Sequence, residues 1–217
     1  DSGEAQWDCR RQQREKQAQG IYFNNDFAVP DFIKQAEQTP AATSIGTATH
    51  LVFQKLTLTK AGVTVAAIRA LIDQLVSDQL IAPAVAPKIN RDGISRFFQT
   101  AVGKKVLATP GGYHREAPFA MVMNGAELFK EIKPQNNEQV LIHGIIDGYL
   151  MTDDGITLVD YKTDHLADSD PAIATQQIVD RYRGQLNLYK QALNLMEPVP
   201  VVEMGLYLVE SGQFIAI

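Results

Sequence analysis

An α/β domain, with a mixed central sheet flanked by helices and a helical part ahead of it, is the fold class this sequence predicts. Three observations carry the prediction. Early in the chain, apolar residues recur at helical intervals; in the middle, they come in short runs ended by glycine-containing turns; a long helical pattern then separates those runs from two closing strands. The order helices, strands, helix, strands suits a sandwich around a mixed sheet better than a doubly wound dinucleotide fold. Neither G-x-G-x-x-G nor a P-loop sequence is present to argue otherwise.

Residues 1–38, opening "DSGEAQWDCRRQQREKQAQG", read as a polar linker and lead-in from a larger parent protein, and 39–217 as the folded domain. "TPAATSIGTATHLVFQKL" predicts a helix with Thr43 or Ser44 as N-cap and His50 early in it. "TVAAIRALIDQLVSDQLI" spaces Ile68, Leu71, Ile72, Leu75 and Val76 as one apolar face, and "DGISRFFQTAVGKKVL" does the same with Ile94, Phe97, Phe98 and Val102. Both are packing helices without chemistry. "PGGYH" is a turn signal, after which "YHREAPFAMVM", "QVLIHGIIDGYLM" and "GITLVDYKT" read as successive strands. A helix from about Ile173 to Met196 follows, then two strands around the Ser211-Gly212 turn. No repeat or low-complexity tract interrupts this order.

With 217 residues, 45% of them hydrophobic, the chain is long enough to bury a core in one domain. No apolar run approaches the roughly 20 residues that span a bilayer, and no signal peptide opens the chain, so the expectation is a cytoplasmic protein without membrane contact. Cys9 is the only cysteine, which excludes an internal disulfide and any four-cysteine zinc or iron-sulfur cluster within this chain. A net charge of −5 argues against coating nucleic acid by bulk electrostatics. Nucleic acid remains open as a substrate, because a carboxylate site around a cation adds formal negative charge that the cation cancels.

The stretch "GIIDGYLMTDDGITLVDYKTD", Gly144 to Asp164, sets two aspartates and a lysine among apolar and β-branched residues. Alternation along a strand puts Asp160 and Lys162 on one face and Val159 and Tyr161 on the other, with Ile146 also placed opposite Asp147. A two-residue turn at Asp153-Asp154 or at Asp154-Gly155 sets Asp147 opposite Asp160 or opposite Lys162, on the same face either way; a three-residue loop would reverse this. Facing carboxylates repel unless a cation or a shared proton intervenes, and hard oxygen ligands select Mg²⁺ or Mn²⁺. An ordinary ion pair between Asp147 and Lys162 on a solvated face balances that reading, and strand geometry alone leaves the two even.

Five motifs in order, "GTATH" with His50, "REAPF" with Glu116, "HGIIDGYL" with Asp147, "LVDYKTD" with Asp160 and Lys162, and "YRGQLNLY" with Gln185 and Tyr189, resemble the RecB-type nuclease domain of the PD-(D/E)XK superfamily. The likeness runs from about Thr39 to the end, and its surroundings are most similar to the C-terminal nuclease domain of the A subunits of AddAB (RexAB) helicase-nucleases. It implies a restriction-endonuclease-like fold with a metal held by His50, Asp147, Asp160 and the Tyr161 carbonyl, and with Lys162, Asp160, Asp147 and Glu116 as the catalytic set. Gln185 and Tyr189, four apart on one helix face, become candidates for positioning DNA, with helix packing the alternative. The superfamily's proline is replaced by Ile146, and His114, His143 and His165 match no ligand position. The implied activity is Mg²⁺-dependent exonucleolytic cleavage of DNA, with Mn²⁺ able to substitute. Single-stranded ends, the 3′-terminated strand in particular, would be delivered by an ATP-dependent helicase portion of the parent chain working with a B-type partner in double-strand-break repair. The rivals are a catalytically silent module that binds a partner subunit or DNA, a phosphoesterase of small molecules, and a purely structural part.

Overall fold

The computed structural model describes residues 40–125, 139–164 and 170–217. The linker assigned to 1–38 and His165 therefore lie outside the described residues. Five helices and five strands follow in order: α1 (Pro40–Lys55), α2 (Val65–Ser77), α3 (Arg91–Phe97), α4 (Ala101–Ala108), β1 (Tyr113–Asn124), β2 (Gln139–Thr152), β3 (Gly155–Lys162), α5 (Pro171–Met196), β4 (Val201–Leu208) and β5 (Gln213–Ala216), among the described residues. The sheet runs β1-β2-β3-β4-β5, parallel only between β3 and β4, where α5 makes the crossover. This is the mixed sheet flanked by helices that the sequence predicts. No helix among the described residues is long and apolar enough to cross a membrane.

Each face of the sheet has its own core. Helices α1–α4 pack Val52, Phe53, Ile68, Ile72, Ile94, Phe97 and Val106 against Tyr113, Leu150, Val159, Tyr161 and Tyr207. Helix α5 packs Ile178, Tyr182, Leu186, Tyr189 and Leu193 against Phe119, Met121, Ile146, Ile156, Leu158 and Leu206.

The helical details differ from expectation in three places. Helix α1 already begins at Pro40, a residue suited to the first helical turn, so Thr43 and Ser44 are inside the helix and do not cap it. His50 consequently lies toward its C-terminal end. The pattern from Ile94 to Val102 is two helices, because Thr100 leaves helical geometry and caps α4 by accepting from the Gly103 N–H at 3.0 Å. Gly103 fits this tight corner because a Cβ there would stand 2.0 Å from the Phe97 carbonyl oxygen.

The β2–β3 turn is Asp153-Asp154, closing the register Thr152↔Gly155 through Gly148↔Val159. Continued by one residue, that register sets Asp147 opposite Asp160. The placing of Ile146 beside Val159 and Tyr161 is corrected: Ile146 packs on the α5 side with Tyr149, whereas Leu150, Val159 and Tyr161 pack on the helical side. Strand β1 changes face in the same way, Tyr113 joining one core and Phe119 the other. The switch falls where the ladder skips from Arg115↔Gly148 to Ala117↔Ile146, at Glu116, whose φ of +51° is left-handed. Simple alternation fails there, and the exception sits at the candidate site.

Candidate metal and catalytic centre

Three elements bring a histidine and two acids together. His50 from α1, Glu116 from β1 and Asp147 from β2 each offer a ligand atom within 4.8 Å of the others. His50 Nδ1 lies 3.3 Å from Asp147 Oδ1, and Nε2 lies 3.1 Å from the Tyr161 carbonyl oxygen. The Tyr161 N–H donates to Asp147 Oδ2 at 2.8 Å, so Tyr161 of β3 ties the histidine and the aspartate together through its backbone. Behind it the Tyr161 ring stacks on Phe53 at 3.8 Å between centroids, and its hydroxyl shares a hydrogen bond with that of Tyr113.

Asp160 and Lys162 stand beside this cluster in the protein interior, 1% and 3% exposed. Their charged atoms are 3.0 Å apart, and among the described residues no other group hydrogen-bonds the Asp160 oxygens. Lys162 Nζ donates to Gln185 Oε1 at 3.1 Å and sits 4.3 Å from the centre of the Tyr182 ring. Gln185 in turn donates from Nε2 to the Tyr189 hydroxyl at 2.8 Å. Gln185 and Tyr189 are both buried, with polar groups engaged by Lys162 and by each other. Tyr182 donates to Asp164, which also pairs with Arg181 at 3.1 Å.

The electrostatics follow from burial and from these neighbours. Burial pulls the His50 imidazole down, but the Asp147 carboxylate outweighs it and leaves the ring up at about 9. For Asp147, burial pushes up while His50, Lys162 and the Tyr161 N–H hold it below the usual carboxylate range. Asp160 is pushed up to about 7 by burial, which the Lys162 ammonium opposes and the Asp147 charge reinforces. Glu116 is raised by burial and by Asp147. Held between two oxygens, the His50 ring favours its proton unless a cation competes for it.

A divalent cation fits this donor set. An imidazole, two carboxylates and a backbone carbonyl converge on one place, and a third carboxylate, that of Asp160 paired with Lys162, lies next to it. All but Asp160 line or adjoin a cavity of about 1080 Å³ bounded by α1, β1, β2 and α5. His50, Glu116, Asp147, Tyr161, Lys162, Gln185 and Tyr189 are among its lining residues, as is His143; the exposed His114 stacks on Tyr149 instead. Two residues that brace the site, Arg115 and Phe53, do not stand out in the sequence. The three-residue spacing of His50 and Phe53 could have flagged Phe53, but nothing marks Arg115, whose bonds go to a helix far away in sequence.

Similar proteins carry the same segment. The chain is 58% identical over 97% of its length to a protein of Limosilactobacillus reuteri named as the A subunit of an ATP-dependent helicase/nuclease, and 45% identical over 90% to its namesake in Levilactobacillus brevis. Its identity to the protein of that name in Enterococcus faecalis is 39% over 92%. In each case it spans only about 15% of the relative's length. Residues 20–215, nearly the whole chain, match the family described as the PD-(D/E)XK nuclease superfamily. With the mixed sheet and the cluster at the Asp147–Asp160 crossing, that match settles the family: the chain belongs to the PD-(D/E)XK nuclease superfamily.

Proposed function

We propose that this domain hydrolyses phosphodiester bonds of DNA with a divalent cation, Mg²⁺ by preference and Mn²⁺ as a substitute. The observation that carries the reading is the convergence of His50, Glu116 and Asp147 in a cavity also lined by Lys162, whose buried partner Asp160 lies behind it. His50, Asp147, Asp160 and the Tyr161 carbonyl would hold the cation, with Glu116 at its edge. When bound, such a cation lowers the pKa of water and offsets charge on a phosphoryl oxygen. Asp160 and Gln185 fix the Lys162 ammonium, which orients the attacking water or neutralises charge as its oxygen bonds to phosphorus and one P–O ester bond breaks. The released proton passes to the leaving oxygen. Gln185 and Tyr189 serve this step by holding Lys162, and Tyr182 by bounding it on the ring side.

The relatives' shared name joins a helicase to a nuclease, and this chain matches only a fraction of them. That supports a larger reading in which the domain is the nuclease part of a cytoplasmic, ATP-driven, two-subunit enzyme acting exonucleolytically in double-strand-break repair. Single-stranded DNA, the 3′-terminated strand in particular, would be threaded to the cavity. The test titrates Mg²⁺ and Mn²⁺ into the domain with end-labelled single-stranded DNA, beside Asp160→Ala. Metal-dependent cleavage, lowered on the order of 10²-fold or more in the variant, is the expected result. Metal binding without cleavage in either protein would favour a silent DNA- or partner-binding module, and cleavage unchanged in the variant would remove Asp160 from the site.

A further inference from the structure

Arg115 stands one residue before the left-handed Glu116 but takes no part in lining the cavity. Its guanidinium Nη1 reaches across to α1 and donates to two carbonyls, Phe53 O at 3.0 Å and Leu56 O at 2.6 Å. These lie in and just past the last turn of α1, where carbonyls have no helical donor and a cation complements the helix dipole. One side chain therefore fastens the C-terminal end of α1 to the start of β1.

That end of α1 is the end that carries the site. His50 and Phe53 are three residues apart on one helix face, and Phe53 lies flat on the Tyr161 ring, with 6° between the planes. The backbone of the same Tyr161 meets His50 through its carbonyl and Asp147 through its N–H. Strand β1 closes the loop on both sides of Arg115: Tyr113 bonds the Tyr161 hydroxyl, and Glu116 joins His50 and Asp147. If α1 slid or frayed at its end, the His50 ring would leave both oxygens at once.

We propose that Arg115 is a positioning residue which locks α1 so that His50 stays in register with Asp147, Glu116 and the Tyr161 carbonyl for cation binding. The inference rests on the metal-centre reading above. Its action is indirect, through the helix, so its signature is coupling to His50 and a loss of metal affinity in a folded protein.

The experiment is a calorimetric titration of Mn²⁺ into the wild-type chain, Arg115→Met, His50→Ala and the double variant, each first confirmed folded by a cooperative thermal transition. Arg115→Met keeps the apolar stem and removes the donors. It should weaken Mn²⁺ binding by roughly 10–100-fold, as loss of support behind a metal ligand does. The double variant should bind about as weakly as His50→Ala alone, because both changes remove the same ligand. Arg115→Lys, which retains a cation for one carbonyl, should recover part of the affinity, and it takes the place of Arg115→Met in the cycle if the latter fails to fold. Unchanged affinity in Arg115→Met, or losses that simply add, would assign Arg115 to stability alone and overturn the proposal. A wild-type chain that binds no Mn²⁺ would overturn the metal-centre reading, and the positioning role with it.

Discussion

Strand β3 has two faces, and they solve burial differently. All eight of its residues are buried. On the side of α1–α4, Val159 and Tyr161 meet Phe53, Phe97, Tyr113 and Tyr207, and the tyrosine hydroxyls are paired: Tyr161 with Tyr113, and Tyr207 donating to the Gly93 carbonyl at 2.6 Å. On the side of α5, Asp160 and Lys162 are equally dry but ionisable, and among the described residues the Asp160 carboxylate has only the Lys162 ammonium, 3.0 Å away, to offset its burial. The first face is what a strand does for stability. The second costs stability, because a buried ion pair rarely recovers its desolvation unless every lone pair is satisfied. On the proposed reading, a cation beside Asp160 would offset that cost, which the ion pair with Lys162 does not fully do.

The contrast breaks most visibly on the aromatic face. Phe97 is fully buried and touches Phe53, Phe98, Tyr161 and Tyr207 with ring centroids 5.0–5.7 Å apart. Phe97→Ala should cost about 3–5 kcal/mol of folding stability by urea titration, since the hole it leaves is walled by rings that relax little. Cleavage per folded molecule should change far less than stability does. A loss below about 1 kcal/mol would mean the aromatic layer is not the anchor of β3.

The charged face should respond in the opposite sense. Lys162→Met removes the ammonium but fills its space, and it takes away no cation ligand. Cleavage should fall by roughly 10²–10³-fold, the size seen when one charge-stabilising donor is lost, with Mn²⁺ affinity nearly kept. Stability should shift much less than for Phe97→Ala, because Asp160, already raised to about 7, can take up a proton once its partner is gone. If metal affinity and cleavage fell together, Lys162 would be a structural partner of the carboxylates rather than a group acting on the reaction.

Much of this centre was legible because strand periodicity is rigid. The turn "DDG" limited the register to two choices, and both put Asp147 on the face of Asp160 and Lys162; the structure takes the Asp153-Asp154 turn. The long crossover helix was also plain, since its apolar spacing runs through 26 residues. What escaped was set by tertiary contact or by backbone conformations with no residue signature. Glutamate seldom adopts a left-handed φ, so nothing in "REAPF" announces that both strands change face at Glu116. The break at Thr100 had a signal, a threonine three before Gly103, but the surrounding apolar spacing hid it. The residues of the candidate centre were readable in the sequence; of their brace, Phe53 carried a hint in its spacing from His50, whereas Arg115 is readable only once α1 and β1 are neighbours.

The gentlest way to sharpen the comparison uses pH on the cation-free protein, where His50 is the positive group paired with Asp147 at the cavity edge. Its folded pKa of about 9 lies above the ordinary histidine value of 6.5. The folded state therefore holds the proton more tightly than the unfolded chain. The resulting stabilisation is complete below about pH 6.5 and fades as pH rises through 9. In EDTA, the wild-type thermal midpoint should fall between about pH 6.5 and 9 relative to His50→Gln, whose glutamine carries no proton to lose. Added Mn²⁺ should reverse the trend, because the cation and the His50 proton compete for the same ring and binding tightens as the proton leaves. Parallel pH profiles for the two proteins would show that Asp147 does not hold His50 charged. The balance at the cavity edge would then rest on the interior pair alone.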